Sequence, residues 1–334
     1  MLVLSELQVN EYQEGIRLDQ FIMLAVQQKQ ESAAGTHYSR SMIQGIIKKG
    51  EVKVNNNVVT KVSTRLNVND KVDIQSELAE SNDNDHITPW QQDLDIYYED
   101  SEIMVINKPA GLTVHPGAGN KKHTLVNILK HYLGDNLSMI NGATRMGIVH
   151  RIDKNTSGLL VVAKTNQAHA HLAQQLKNKS VERKYLALCY LIPKPLHGVI
   201  ENRLVRSNSN RLIFTCVDLE SEQGKIAKTE YQTIEVFKQH HFSLLKLKLF
   251  TGRTHQIRAH MKSIKNPIVG DSQYYLSNHS VIAKLQQKHE KIGGLERQFL
   301  HAYKLGFVHP TLNEYMEFKA DMPSDLNAVL ESIR

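Results

Sequence analysis

Cysteine and long apolar runs are what this 334-residue sequence has least of. Its only cysteines are Cys189 and Cys216, too few for the disulfide framework of a small secreted domain or for a four-cysteine zinc site. The longest apolar run, near residues 185–192, is far too short to span a bilayer. Residues 1–12 have neither the basic start nor the apolar stretch of a leader peptide. We therefore expect a soluble protein of the reducing cytoplasm, with no membrane partner.

Positive charge is in excess. The sequence has 41 Lys and Arg against 34 Asp and Glu, a net charge of +7 and a pI near 9.1, which favours a polyanionic partner such as nucleic acid. The apolar share of 41% supports a core, so a wholly disordered chain is excluded. The histidines are scattered and lack the short spacings of metal ligands, so we expect no metal and no cofactor.

The stretch around Asp153 carries the clearest chemical signal. Residues 150–160 read HRIDKNTSGLL, in which the acid lies between Arg151 and Lys154 and an apolar run begins at the end. The run predicts a strand buried on both faces, so Asp153 lies on the loop that leads into it, where catalytic groups are often found. The flanking cations favour an ionised carboxylate. From this stretch alone, an aspartate that only stabilises a turn remains an alternative.

Two short helices and a small β-structure are predicted near the N-terminus. Residues 16–26 and 38–50 place apolar side chains at helical spacing. The valines of residues 52–59 and 68–74 then predict short strands. Between the helices, the polar residues 27–37 are expected to form a linker.

The composition divides the chain into two domains. Residues 77–92 are rich in Glu, Asp, Ser and Asn, which predicts a solvated linker. We place a small basic α/β domain at residues 14–76 and a larger domain at residues 93–334. In the larger domain, predicted strands follow one another with helices inserted between them. This pattern favours an α+β fold with a mixed, largely antiparallel sheet flanked by helices.

The predicted elements of the larger domain follow from apolar periodicity. A hairpin is expected over residues 96–106. Further strands are predicted at residues 158–163, 183–190, 211–216, 227–236, 242–250, 301–305 and 315–318. Helices are predicted at residues 123–133, 167–178, 254–263 and 325–333.

Three further motifs accompany the Asp153 loop. They are NKPAGLTVHPG at residues 107–117, ERKYLA at residues 182–187 and TGRTHQIR at residues 251–258. In this order and at these spacings, the four stretches resemble the motifs of the pseudouridine synthases of the large-subunit ribosomal RNA type. The resemblance covers about residues 93–322 and implies the pseudouridine synthase fold for the larger domain.

The resemblance also implies roles for individual residues. Asp153 would be the catalytic residue, acting on a uridine that has flipped out of its RNA stack. Tyr185 would lie in the active site against the target base. Arg258, with Arg253 as second choice, would pair with Asp153 and fix the carboxylate through a paired hydrogen bond. Arg151 would fill the space that the base leaves or bind its phosphate.

The N-terminal unit resembles the S-four RNA-binding domain, which often precedes the catalytic domain in this family. Its basic side chains are candidate phosphate contacts, although each is equally compatible with an ordinary solvated surface charge. These candidates are Arg40, Lys48, Lys49, Lys53, Lys61 and Arg65.

Together these features predict an isomerase that converts specific uridines of large-subunit (23S) ribosomal RNA, or of a pre-50S particle, to pseudouridine. Within the family, the sequence looks most like the D-type branch, and the C-type paralogues are a close alternative. A non-catalytic RNA-binding factor for ribosome assembly is the alternative from another class. A monomer is the default oligomeric state, and the residues leave open whether Asp153 acts as nucleophile or as base.

Overall fold

The structure is a computed structural model. It describes residues 4–30, 40–74, 87–117, 120, 122–134, 136–276, 280–288 and 292–334. Within these ranges, the side chains of residues 4–6, 27–30, 40, 41 and 143 are outside the description.

A small N-terminal body combines a four-stranded sheet with two helices. The helices are α1 (Leu18–Gln30) and α2 (Arg40–Lys48), and the strands are β1 (Leu4–Gln8), β2 (Val52–Val54), β3 (Asn57–Val58) and β4 (Lys71–Ile74). The strands pair in the order β1-β4-β2-β3. Apolar side chains of both helices, such as Ile22 and Ile47, pack on Val72 in a core of their own. The expected helices and short strands are therefore present.

Helix α1 is longer than predicted. Residues 27–30 continue the helix where a linker was expected. Gln and Lys are good helix formers, so the helix continues beyond its last apolar residue. The prediction from apolar spacing therefore placed its end too early. The rest of the expected linker, residues 31–37, lies outside the described residues.

The larger body is built on one ten-stranded sheet. Its strands are β5 (Asp95–Glu99), β6 (Ile103–Lys108), β7 (Ser157–Ala163), β8 (Glu182–Tyr190), β9 (His197–Arg206), β10 (Phe214–Val217), β11 (Lys225–Phe237), β12 (Phe242–Leu249), β13 (Leu300–Val308) and β14 (Tyr315–Lys319). Its helices are α3 (Leu125–Leu133), α4 (Asn166–Lys177), α5 (Gln256–Ser263), α6 (Ser280–Lys288) and α7 (Ser324–Ile333).

The sheet runs β10-β9-β11-β12-β8-β13-β7-β6-β5, and β14 pairs with β13. Pairing is antiparallel except between β7 and β13, which are parallel. Core side chains lie on both faces of the sheet. The α+β class with a mixed, largely antiparallel sheet is confirmed.

Two elements of the larger body were not predicted. The apolar residues of strand β9 stand in adjacent pairs and do not alternate with polar ones, and pairing with β10 and β11 holds the strand in the sheet. Because backbone pairing leaves no pattern in the side chains, the sequence did not reveal it. Helix α6 was also missed, although Ile282 and Leu285 are buried at helical spacing.

The expected solvated linker is in part packed against the larger body. Ile87 is buried in its core and Trp90 packs on the same cluster. The backbone N–H of Trp90 donates to the carbonyl of Asn127 at 3.0 Å. Polar composition misled here because two apolar side chains suffice to dock a short segment. Residues 75–86 lie outside the described residues, and the domain bounds remain a prediction.

Strand β7 positions the Asp153 loop, which precedes it directly. All residues of β7 are buried, as its unbroken apolar run predicts. Gly158 has φ +118°, and a Cβ there would lie 2.3 Å from the carbonyl oxygen of Ala302 on β13. Only glycine fits this conformation and this approach, so the motif glycine allows β7 and β13 to pair beside the loop.

Candidate active site

The residues that follow Asp153 are fixed to the rest of the protein one after another. The Lys154 carbonyl accepts from the Lys108 ammonium at 3.0 Å, and the Asn155 carbonyl accepts from Arg297 at 3.1 Å. The side chain of Gln298 donates to the Thr156 hydroxyl at 3.2 Å. The loop that carries Asp153 is thus held rigidly, as a catalytic carboxylate requires.

Lys108, from the NKPAG motif, is fully buried beneath this loop. Its Nζ donates to the carbonyls of Pro109 (2.6 Å), Leu112 (2.8 Å) and Lys154 (3.0 Å). Burial lowers the pKa of Lys108 to about 7, and the charge of Asp153 opposes that shift. Three carbonyl acceptors match the three N–H groups of an ammonium, so we assign Lys108 as protonated. Sequence reasoning missed this role.

Arg258 on α5 links the candidate catalytic carboxylate to a second one. Its Nη1 lies 3.3 Å from Asp153 Oδ2. Its Nε and Nη2 bind Asp271 at 2.7 and 2.9 Å, and Nη2 also donates to Gln273 at 2.8 Å. The paired hydrogen bond that we expected with Asp153 is therefore made with Asp271. Asp271, which no sequence motif marked, holds the guanidinium so that its remaining nitrogen reaches Asp153.

His255 also lies near the Asp153 carboxylate. Its Nε2 lies 4.0 Å from Asp153 Oδ2, and its Nδ1 lies 3.0 Å from the hydroxyl of Tyr274. That hydroxyl accepts the N–H of Phe214 at 2.7 Å, which favours donation of its own proton to His255 Nδ1. Burial lowers the pKa of His255, which favours a neutral ring with its proton on Nε2, facing Asp153.

Tyr185 is buried on β8. Burial raises the pKa of its hydroxyl to about 12; the charge of Arg183 opposes this shift and that of Asp153 adds to it. The phenol is therefore neutral at pH 7. Asp153 itself keeps a side-chain exposure of 17%, so the carboxylate is open to a bound molecule.

Arg151 and Arg253 are both exposed, and neither forms an ion pair with Asp153. Arg151 Nη1 lies 2.7 Å from His115 Nε2. Burial lowers the pKa of His115, so its neutral ring can accept that N–H. Arg253 Nε donates to the carbonyl of Ile226 at 3.0 Å. Arg258, the first choice for the partner of Asp153, is therefore the arginine that contacts it.

A basic cleft of about 510 Å³ opens beside this site. Its wall includes Arg206, Lys225 and Arg253 and no carboxylate. Phe214 also lines the cleft, with the Arg206 guanidinium 5.3 Å from its ring centroid. The edge of the same ring meets His255. The cleft therefore borders the surroundings of Asp153, and the roles of Arg206, Lys225 and Phe214 were missed from the sequence.

The candidate RNA contacts of the N-terminal body are mostly on its surface. Lys48, Lys49, Lys61 and Arg65 are exposed, and Lys53 is half-buried. Arg65 donates through Nη1 to the carbonyl of Gly15, so one nitrogen of its guanidinium stabilises the fold of the N-terminal body. The side chain of Arg40 lies outside the description.

Within the described residues, no group of His, Cys, Asp or Glu is arranged to hold a metal ion. His169 on α4 is buried and lies 2.9 Å from the side-chain amide of Asn141. No helix among the residues that the structure describes has the length and apolar character needed to cross a membrane.

Comparisons with known proteins agree on one family. A family model described as RNA pseudouridylate synthase matches residues 102–263, and a model of the S4 domain matches residues 32–72. The sequence is 38% identical over 329 residues to the uncharacterized RNA pseudouridine synthase YlyB of Bacillus subtilis (strain 168), covering 98% of each chain. It is 44% identical over 248 residues to the ribosomal large subunit pseudouridine synthase D of Zymomonas mobilis, covering 74% of this chain and 75% of that one. Among solved structures, human RNA pseudouridylate synthase domain containing 4 aligns with a TM-score of 0.54 at 25% identity, over 71% of this chain and 92% of that one.

Proposed function

Because the chain belongs to the RNA pseudouridylate synthase family, we propose that it isomerises uridines of large-subunit ribosomal RNA, with Asp153 as the catalytic residue. The observation that carries this proposal is the accessible Asp153 carboxylate, 3.3 Å from Arg258 Nη1 on a loop fixed by Lys108 and Arg297. An RNA-binding assembly factor without catalysis would not need a carboxylate held in this way.

The proposed reaction rearranges one nucleotide. The bond between uracil N1 and ribose C1′ breaks, the base turns in place, and C5 of uracil bonds to C1′ while a proton moves from C5 to N1. No atom is gained or lost, so the reaction needs no oxidant and no energy source. An ionised Asp153 can act as a nucleophile or as a base that removes a sugar proton, and Arg258 stabilises its charge in both routes.

The target uridine must leave its stack to reach Asp153, which costs a few kcal/mol. In this proposal the ring of Tyr185 lies against the flipped base, and its neutral hydroxyl adds no charge there. Arg151, exposed beside the loop, fills the vacated space or binds a phosphate. The basic cleft receives the flanking RNA: Arg206, Lys225 and Arg253 attract phosphates, and Phe214 offers a ring for stacking.

The choice of large-subunit ribosomal RNA rests on the relatives. Proteins of Zymomonas and Vibrio that are 37–44% identical are named ribosomal large subunit pseudouridine synthase D, which favours the D-type branch over the C-type. The exposed lysines of the N-terminal body are suited to bind phosphates of the same RNA or of a pre-50S particle. A monomer in the cytoplasm completes the proposal.

Mapping of pseudouridine in ribosomal RNA tests the proposal. Carbodiimide-dependent reverse-transcription stops in large-subunit RNA are compared among the parent strain, a strain lacking the gene, and that strain rescued with wild type or Asp153→Asn. We expect defined stops to vanish in the deletion and to return only with wild type. If Asp153→Asn restores them, Asp153 is not the catalytic residue. If all stops persist in the deletion, this RNA is not the substrate.

A further inference from the structure

Arg183 of the ERKYLA motif is a buried cation that the proposed chemistry does not yet use. It lies on β8 two residues before Tyr185, so the two side chains point to the same face of the sheet. Arg183 is 6% exposed and its Nε has no acceptor. Within the described residues, no carboxylate lies within the 4.0 Å of an ion pair with it.

A buried guanidinium without a partner destabilises the folded protein, since it has lost its hydration and gained no counter-charge. The structure nevertheless provides space for it. A Cβ on Gly252, in the TGRTHQIR motif, would lie 2.8 Å from Arg183 Nη1. Gly252 has no left-handed φ, so the contact with Arg183 is the feature of this position that a side chain would disturb, and Nη1 would have to move. The same glycine lines the basic cleft, so Arg183 Nη1 lies directly behind a residue of the cleft wall.

A second donor without a partner lies in the same region. His150 Nε2 accepts the N–H of Val161 at 3.1 Å, which leaves the ring proton on Nδ1. His150 Nδ1 is buried and has no acceptor. Burial and the positive charge of Arg183 lower the pKa of His150 to about 3, so the ring stays neutral. Two donors from two motifs thus lack the acceptor that buried polar groups normally have.

We propose that Arg183 binds a phosphate of the target uridine or of its neighbour when RNA enters the cleft. The inference rests on the proposed function and adds a substrate contact to it. The Cα atoms of residues two apart on a strand are about 6.6 Å apart. This separation is comparable to the distance between a base and the phosphate of the same nucleotide, so Arg183 can reach a phosphate when the base lies against Tyr185. A phosphate there supplies the missing counter-charge, and the guanidinium can bind it through two N–H groups.

Equilibrium binding and kinetics of Arg183→Met test this inference. Methionine keeps the length of the chain and removes the charge. With a large-subunit ribosomal RNA transcript as probe, we expect Kd and KM to rise about tenfold while kcat changes less than threefold. The slope of log Kd against log salt concentration should become smaller by about 0.7–0.9, the value for one lost phosphate contact. The melting temperature should not fall, because an uncompensated buried charge has been removed.

Lys184→Met is the matched control. Lys184 is the next residue, points to the opposite face of β8 and pairs with Glu182 at 2.7 Å, so this variant should keep the wild-type salt slope. Gly252→Ala should reproduce part of the Arg183→Met effect because the new methyl group displaces Nη1. A wild-type salt slope in Arg183→Met would overturn the inference, and so would a loss of kcat at unchanged Kd, which would indicate a contact with the base.

The inference and the proposed function fail in distinguishable ways. Binding measured in an Asp153→Asn background does not depend on turnover, so the salt slope reports on Arg183 alone. If wild type makes no pseudouridine in the transcript while Arg183→Met still lowers the slope, the proposed function fails and the phosphate contact stands.

Discussion

At the scale of single residues, the candidate site depends on which nitrogens of the Arg258 guanidinium bind Asp271 and which one is left for Asp153. Asp271 takes Nε and Nη2 in a paired contact, and only Nη1 is left for Asp153. Hydrogen bonds to Asp271, together with the charges of Asp271 and Asp153, raise the pKa of Arg258 even though it is buried. The arginine is therefore a permanent cation, and its direction is set by a residue that does not itself touch Asp153.

Arg258→Lys tests whether this direction matters. Lysine keeps the charge but cannot bind both oxygens of Asp271 and reach Asp153 at once. We expect kcat to fall by about 10–100-fold, with KM within about threefold, because the lost interaction orients the reacting carboxylate. Single-turnover rates and KM on the same RNA transcript measure the two effects separately.

Arg334→Lys provides the control for this change. Arg334 makes a similar two-nitrogen contact, to Glu235 at 3.3 and 3.1 Å, on the surface near the C-terminus. Its replacement should leave kcat and KM at wild-type values. If Arg258→Lys does the same, the guanidinium geometry has no part in catalysis.

At the scale of elements, the sequence predicted most of those that carry a side-chain pattern, and α6 is the exception. The continuous apolar run of β7 and the apolar spacing of α4 are local properties, and both elements are present. Strand β9 depends on backbone pairing with β11, which is distant in sequence, and left no such pattern. The candidate site likewise contains residues that a local motif marks and residues that only the fold brings into place. Asp153 stands in a local motif, whereas Asp271 becomes important only when folding brings it to Arg258.

Gly158→Ala tests the junction between β7 and β13. The added Cβ would lie 2.3 Å from a backbone oxygen of Ala302, and φ +118° is strained for any other residue. We expect the variant to lose most of its stability and to accumulate as insoluble protein, since the rigid strand cannot move aside. Soluble yield and urea unfolding measure the effect.

Gly111→Ala separates backbone strain from the clash. Gly111 also has a positive φ, +86°, but a Cβ there would have nothing within 4 Å. Its replacement should lower the free energy of unfolding by only about 1–2 kcal/mol. Equal losses in the two alanine variants would show that the close approach to Ala302 is unimportant.

At the scale of the whole molecule, composition predicted the class of partner and the core but not where individual histidines lie. The sequence has 17 histidines, and nothing in their spacing indicates which ones are inside. His169 and His260 are buried, with contacts to Asn141 and Asn202 that leave Nδ1 of each ring without a partner. Burial depends on the final packing, so only the structure could show it.

These two histidines make stability depend on pH. Burial lowers the pKa of His169 and of His260 to about 4, whereas a histidine of the unfolded chain titrates near 6.5. Between these values the unfolded state binds the extra protons, so stability falls as pH falls from about 6.5 to about 4, by up to about 1.4 kcal/mol per pH unit for each ring. Urea unfolding at pH 7.5, 6.5, 5.5 and 4.5 measures this slope. His169→Gln and His260→Gln should each flatten it, whereas the exposed His131→Gln should keep it. If all three variants keep the wild-type slope, the rings of His169 and His260 are not its source.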